Sequence, residues 1–332
     1  MKAIVSKSVG GPDSLVLEEL PEPEPGPDEV RVLVHACGVN YPDTLIIEDK
    51  YQFKPDRPFS PGGEVAGKID AIGSDVDGVA VGDKVIALVG WGGMAEKVVT
   101  KATKCLPMPT DMPFDEAAAF IFTYGTSYYA LKQRGSLKPG QTLLVLGAAG
   151  GVGLAAVELG VAMGATVVAA ASTQAKVDLA IKHGAASGAV YPTGALDKAA
   201  AKALAGEFKQ ATGKAGADVI YDAVGGDYAE AALRAIAWEG RFLVIGFPAG
   251  IPSIPLNLAL LKGCQIVGVF WGSFAERDPT ESQQNGRELV ELYANGKIRP
   301  YVSARYPLAD AGKAINDLAE RRAMGKVVVT ID

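Results

Sequence analysis

The chain has 332 residues, 48% of them hydrophobic, with 40 glycines and 20 prolines, which is length enough for two folded domains and too apolar for a disordered chain. A formal net charge of −6 without a long Lys/Arg run excludes a broad cationic field, so nucleic acid is not an expected partner. The three cysteines, Cys37, Cys105 and Cys264, lack C-x-x-C spacing, which excludes a disulfide framework or a zinc knuckle and leaves buried thiols.

The first residues, Met1-Lys2-Ala3-Ile4-Val5, lead directly into a strand-like run. No later segment is apolar over the length that a bilayer span needs. No membrane partner is expected, and the cytoplasm is the expected location. Up to about Thr123 short strands alternate with turn chemistry: Val30-Arg31-Val32-Leu33-Val34 and Lys84-Val85-Ile86-Ala87-Leu88-Val89 are β-rich, and Pro21-Glu22-Pro23-Glu24-Pro25-Gly26-Pro27 and Val81-Gly82-Asp83 break them. Beyond Pro139-Gly140 the period changes. Strands are predicted at 141–147, 166–171, 188–191, 218–224 and 241–246, with amphipathic helices between them. That alternation specifies an α/β domain of the Rossmann type, a doubly wound parallel sheet with helices on both faces. After 265–270 the character is mixed, and a last strand at 326–331 rejoins the N-terminal domain. The expected division is 1–123 with 263–332 for a discontinuous β-rich domain, and 124–262 for the nucleotide-binding domain.

The run Leu143-Leu144-Val145-Leu146-Gly147-Ala148-Ala149-Gly150-Gly151-Val152-Gly153 is a buried strand entering a glycine turn that opens a helix. First-turn N–H groups and the positive helix end then face a diphosphate. Gly150 and Gly151 admit the pyrophosphate beside Val152, and Gly153 allows close helix–strand packing. Ala148 replaces the first glycine of the usual fingerprint, and a purely structural turn is the alternative reading. At the end of the second strand an acidic residue would bind the ribose of NAD. This strand ends in Ala171, and Ser172-Thr173-Gln174-Ala175-Lys176 offers hydroxyls and an ammonium to a 2′-phosphate, so the expected cofactor is NADPH. The alternative has Ser172 capping a helix and Lys176 on its solvated face.

These motifs together resemble the medium-chain dehydrogenase/reductases over essentially the whole chain, and within them the quinone oxidoreductase, or zeta-crystallin-like, branch. Further matches are Gly38-Val39-Asn40-Tyr41-Pro42-Asp43, Gly125-Thr126-Ser127-Tyr128-Tyr129-Ala130-Leu131, Tyr221-Asp222-Ala223-Val224-Gly225-Gly226 and Val244-Ile245-Gly246-Phe247. The resemblance implies that the β-rich domain is a GroES-like catalytic domain. Zinc members of the superfamily carry a cysteine ligand after Cys-Gly-Val and a histidine in Gly-His-Glu. Here the positions hold Asn40 and Gly63, so no metal is expected. The four closely spaced cysteines of the structural zinc lobe are missing as well. Glu64 reads as a structural residue of its loop.

Without a Lewis acid, alcohol oxidation is poorly served, whereas a quinone or enone already delocalises the charge that a hydride brings. The expected activity is NADPH-dependent hydride transfer to such a small electrophile. Asn40, Tyr41, Asp43, Tyr51, Thr126, Phe270 and Trp271 are the expected pocket residues. The resemblance implies Asn40 near the nicotinamide and Tyr51 at the substrate carbonyl or the carbon that accepts a proton. Alternatives are a surface loop for Tyr51, and core packing or a subunit contact for Phe270 and Trp271. Gly246 and Phe247 are expected at the cofactor, and Tyr191 beside the adenosine phosphate unless it simply ends the third strand. Arg322 and Lys326 are candidate phosphate ligands, a basic helix end being the other reading. A homodimer is expected by analogy, through a sheet edge at 241–254. Two rival readings stand beside this one: an enoyl-thioester reductase with Tyr51 as proton donor, and a non-catalytic NADPH-binding redox sensor or crystallin-like protein.

Overall fold

Strongly alternating sequence builds the first strands. In the computed structural model, which describes residues 1–331, Val30, Val32 and Val34 of an eleven-residue strand all point into one core while their neighbours stay half-exposed. In chain order this part contains β1 (Lys2–Val5), β2 (Val16–Glu19), β3 (Glu29–Val39), helix α1 (Tyr41–Ile46), β4 (Glu64–Ile72), β5 (Lys84–Leu88), β6 (Lys97–Lys101), β7 (Cys105–Pro107) and α2 (Phe114–Ala117). Helix α3 (Ile121–Tyr129) then carries the chain onward, and Tyr124 is the first residue of a second compact unit.

That second unit, residues 124–285 with 295–298, contains β8 (Thr142–Leu146), α4 (Gly151–Ala162), β9 (Thr166–Ala171), α5 (Gln174–Lys182), β10 (Ser187–Val190), α6 (Lys198–Thr212), β11 (Ala217–Asp222), α7 (Tyr228–Leu233), β12 (Ile236–Val244), α8 (Asn257–Lys262), β13 (Gln265–Gly268) and α9 (Trp271–Arg277). Among the described residues its strands form one parallel sheet in the order β10-β9-β8-β11-β12-β13. This is the doubly wound order, with the reversal of direction beside β8. Leu143, Leu144, Val145 and Leu146 of β8 are wholly buried, as a central parallel strand covered on both faces requires.

The first unit resumes within α10 (Pro279–Ala294) at Gly286 and adds β14 (Val302–Pro307), α11 (Ala311–Ala319) and β15 (Lys326–Thr330). Its larger sheet runs β14-β15-β3-β4-β5-β7. Strands β6 and β15 take successive halves of the same edge of β3, pairing with Glu29–Leu33 and Ala36–Val39. The return at Gly286 lies later than the boundary expected at 263. The short run at Gln265–Gly268 is not a loss of alternation but the sixth strand of the parallel sheet. Residues 241–244, expected at an open sheet edge, lie on β12, whose backbone is paired on both sides by β11 and β13; among the described residues the edges of this sheet are β10 and β13. No helix among the described residues is long and apolar enough to cross a membrane.

Candidate functional site

In the second unit, β8 ends at a turn in which Gly147 takes a φ of 73° and donates its N–H to Ala170, and Gly150 caps α4 in extended conformation. The first intrahelical bond is Leu154 N–H to Gly150 O, at 2.8 Å. The amides of Gly151, Val152 and Gly153 precede it and point out of the helix start, where the helix dipole adds positive potential. A Cβ on Gly153 would stand 2.0 Å from Gly147 O, so only glycine lets α4 pack this close to its strand. A diphosphate fits this cradle.

Behind it, Ser127 on α3 donates its hydroxyl to Val152 O (2.8 Å) and shares a bond of 2.9 Å with the fully buried Tyr221 hydroxyl on β11. Burial pushes the Tyr221 phenol up, so it stays protonated. Sequence reasoning missed this link between α3, α4 and β11, because nothing in the residue types pairs Ser127 with Tyr221 across 94 positions. Thr126 precedes Ser127 on α3 and is part-buried.

At the end of β9 the helix cap is Thr173, not Ser172: its hydroxyl accepts the Lys176 N–H at 3.3 Å. The Lys176 ammonium lies 3.4 Å from Ser172 Oγ, and both side chains are part-buried. The carboxylate on α5, Asp178, is held by Gln174. A hydroxyl and an ammonium side by side suit a 2′-phosphate.

The loop after β11 is tied by Asp222, whose buried carboxylate accepts the N–H groups of Val224 and Gly225, both at 2.9 Å. Burial raises its pKa, and those two bonds oppose the rise. Its main-chain oxygen accepts from Ile245 and Gly246, so the loops carrying Gly225 and Gly246 are joined, with Phe247 exposed beside them. Two expected site residues are buried. Tyr191 is buried against Tyr228, ring centroids 4.9 Å apart, as part of the core. Trp271 is 7% exposed and lies on α3 where Gly125 leaves room, a Cβ there coming within 2.6 Å of the indole. It packs against α3, the alternative that the sequence offered. Phe270 beside it is 46% exposed.

In the first unit, β3, α1, β4 and β15 bring four polar side chains together inside the protein. Asn40 donates through Nδ2 to Glu64 Oε1 (2.9 Å) and Gly38 O (3.3 Å). Lys326 Nζ donates to Asn40 Oδ1 (2.7 Å), Glu64 Oε1 (2.7 Å) and Val39 O (3.1 Å). Glu64 Oε2 accepts from Phe122 N–H at 2.9 Å. Asp43 accepts the N–H of Asn40 (2.7 Å) and of Gly62 (3.0 Å), which fixes the start of α1. Burial pushes the Asp43 carboxyl up to about 6 against those two bonds and the Lys326 charge.

Asp43 is therefore a buried helix anchor and not a wall of a substrate pocket. The ammonium of Lys326 has all three donors engaged and none left for a phosphate, which corrects its expected role. Arg322 faces Asp317 and Glu320. Its guanidinium is a helix-end ion pair, and the phosphate reading has no geometric support. Tyr41, at the head of α1, is exposed. Tyr51 is half-buried against the core, its ring 5.9 Å from Phe53, and its hydroxyl has no hydrogen-bond partner among the described residues. Burial, and then the Asp43 charge, raise its pKa, so at neutral pH its hydroxyl keeps its proton.

Comparison with known proteins gives two family matches: "Alcohol dehydrogenase GroES-like domain" over residues 26–110 and "Zinc-binding dehydrogenase" over 151–291. The chain is similar to a quinone oxidoreductase-like protein 2 homolog of Nematostella vectensis, 37% identical over 99% of this chain and 88% of that one. It is 34% identical to a quinone oxidoreductase of Pseudomonas aeruginosa over 99% of both chains. Among solved structures, Escherichia coli quinone oxidoreductase complexed with NADPH superposes with a TM-score of 0.89, at 29% identity over 99% of this chain and 100% of that one. The zinc named by one family model does not fit the residues present. An ammonium, Lys326, lies against Glu64 and Asn40, and among the described residues no three His, Cys, Asp or Glu side chains converge.

Proposed function

This chain belongs to the quinone oxidoreductase family of the medium-chain dehydrogenase/reductases, and on that premise we propose that it is an oxidoreductase that transfers hydride from NADPH to a quinone or an activated enone. The observation that carries the cofactor reading is the pairing of the β8–α4 cradle with Ser172 and Lys176 at the end of β9, where an NAD site would present a carboxylate. When bound, NADPH supplies the hydride. The amides of Gly151, Val152 and Gly153 would hold its diphosphate, and Lys176 with Ser172 would hold the 2′-phosphate. Ser127 and Tyr221 brace Val152, and Asp222 braces the loops at Gly225 and Gly246.

Tyr51 is the proposed proton donor or hydrogen-bond donor to the acceptor, since its hydroxyl is protonated at neutral pH and is not engaged elsewhere in the described chain. A conjugated acceptor suits such a site because its own π system spreads the incoming charge. Acceptor-dependent oxidation of NADPH and NADH, with a quinone, a simple enone and a short enoyl-CoA in parallel, tests the reading. Turnover of the quinone or enone with NADPH supports it. Turnover of the enoyl-CoA alone favours the thioester reductase, and tight NADPH binding with no turnover favours a sensor.

We also propose a homodimer through the β13 edge. Exposed Ile251, Leu256, Leu260, Leu261 and Ile266 accompany that open edge, and a twofold lets one strand pair with its own copy. Light scattering on the wild type and on Leu260→Glu checks it: a dimer that the substitution dissociates is expected, and a wild-type monomer contradicts it.

A further inference from the structure

Lys326 and Glu64 are among the most deeply buried charges in the first unit, 4% and 0% exposed, and the proposed reaction has not used them. A buried ion pair adds little net stability over apolar residues of similar volume. The reason for two charges at this place therefore has to be sought in what they touch. Both touch Asn40, and they touch opposite ends of its amide. Lys326 can only donate, and it meets Oδ1 at 2.7 Å; an ionised Glu64 can only accept, and it meets Nδ2 at 2.9 Å. An asparagine amide is almost symmetrical in shape, so packing alone does not choose between its two orientations. A donor-only group on one side and an acceptor-only group on the other does. Rotation by half a turn would set the NH2 against an ammonium and the carbonyl against a carboxylate.

We propose that Lys326 and Glu64 are positioning residues that lock the Asn40 amide in one orientation for the reaction. The inference rests on the reading of Asn40 as a residue of the nicotinamide site. In the locked state both Nδ2 protons are engaged, by Glu64 and Gly38, and Oδ1 is turned to Lys326 and the first turn of α1. What the lock fixes is which end of the amide lies on which side, carbonyl towards Lys326 and NH2 towards Glu64. The pair has no part in metal binding or proton transfer in this scheme; it sets which atom Asn40 presents.

The test is a cycle of variants assayed for kcat, for NADPH KM and for thermal midpoint: Asn40→Ala, Glu64→Gln/Lys326→Met, and the triple substitution. The double variant removes both charges together, so no uncompensated ion is left in the core. It should fold with a midpoint near that of the wild type and lose kcat by about ten- to a hundredfold, the equivalent of one charge-assisted hydrogen bond. Asn40→Ala should lose a similar factor, and the triple variant no more than either, because all three act through one amide. A double variant with wild-type kcat overturns the proposal, and so do losses that multiply in the triple. Asn40→Ala with unchanged kcat and KM instead sinks the assignment of Asn40 to the site, a separate failure. If the methionine variant does not fold, Glu64→Gln/Lys326→Leu completes the same cycle, with the same outcomes deciding.

Discussion

Replacing Lys176 by alanine isolates the contact proposed to set cofactor choice. The ammonium stands 3.4 Å from Ser172 Oγ at the end of β9, part-buried, with the Asp178 carboxylate engaged by Gln174. One unit charge facing another at about 4 Å is worth roughly 4 kcal/mol at an effective dielectric near 20. Solvent screening and the hydroxyls that remain at Ser172 and Thr173 reduce this to about 1.5–3 kcal/mol for the lost phosphate contact. Affinity for NADPH should then fall about ten- to a hundredfold, and affinity for NADH, which lacks the phosphate, should stay within about twofold. Fluorescence titration of the reduced cofactors into wild type and Lys176→Ala measures both constants, and raising the salt should shrink the difference. Equal weakening of NADPH and NADH would show that Lys176 supports the fold of α5 and does not read the phosphate.

Tyr51→Phe should lower kcat/KM for an enone by about a hundredfold and for a quinone by less, measured at saturating NADPH, because only the enone must receive a proton on carbon; equal losses would make Tyr51 a shape residue. Activity should survive a strong chelator, and metal analysis should find no stoichiometric zinc, since Lys326 holds the charge beside Glu64; one zinc per chain with activity lost on its removal would contradict this. The Asp43 carboxyl, at about 6 in the fold against an ordinary 3.8, stays protonated while the unfolded chain ionises, so its contribution is full below about pH 4 and is lost as pH rises through about 6. The loss is on the order of 3 kcal/mol, and denaturant unfolding at pH 4 and 7.5 should show the wild type losing that much relative to Asp43→Asn; a pH-independent difference would refute it.

Much of this was legible in the chain because the relevant signals are local. The wholly buried run of β8, the glycine turn after it and the hydroxyls after β9 lie within single stretches of sequence, and the structure keeps them in single elements. The end of the parallel sheet was not legible. Gln265–Gly268 is a four-residue edge strand with mostly exposed positions, too short to be told by its pattern alone from the mixed segment that follows it. Lys326 presented only its charge, and its partners stand 262 to 287 residues away, so a phosphate and a buried carboxylate were equally compatible with it. Trp271 follows a strand, and nothing in the residues themselves said that Gly125 leaves the indole a place to pack. Asp43 sits two residues after an exposed tyrosine, and its burial follows from the turn that folds Gly62 back onto it.

The proposed transfer of a hydride from NADPH to a conjugated carbonyl can be followed atom by atom. NADPH carrying deuterium at C4 on the transferred face is turned over with a simple enone, and the product is examined by mass spectrometry and NMR. One deuterium at the β-carbon, with the α-carbon proton drawn from solvent, is the expected result. Oxidation of NADPH without label in the product, or no oxidation with any enone or quinone while the cofactor binds tightly, would contradict it.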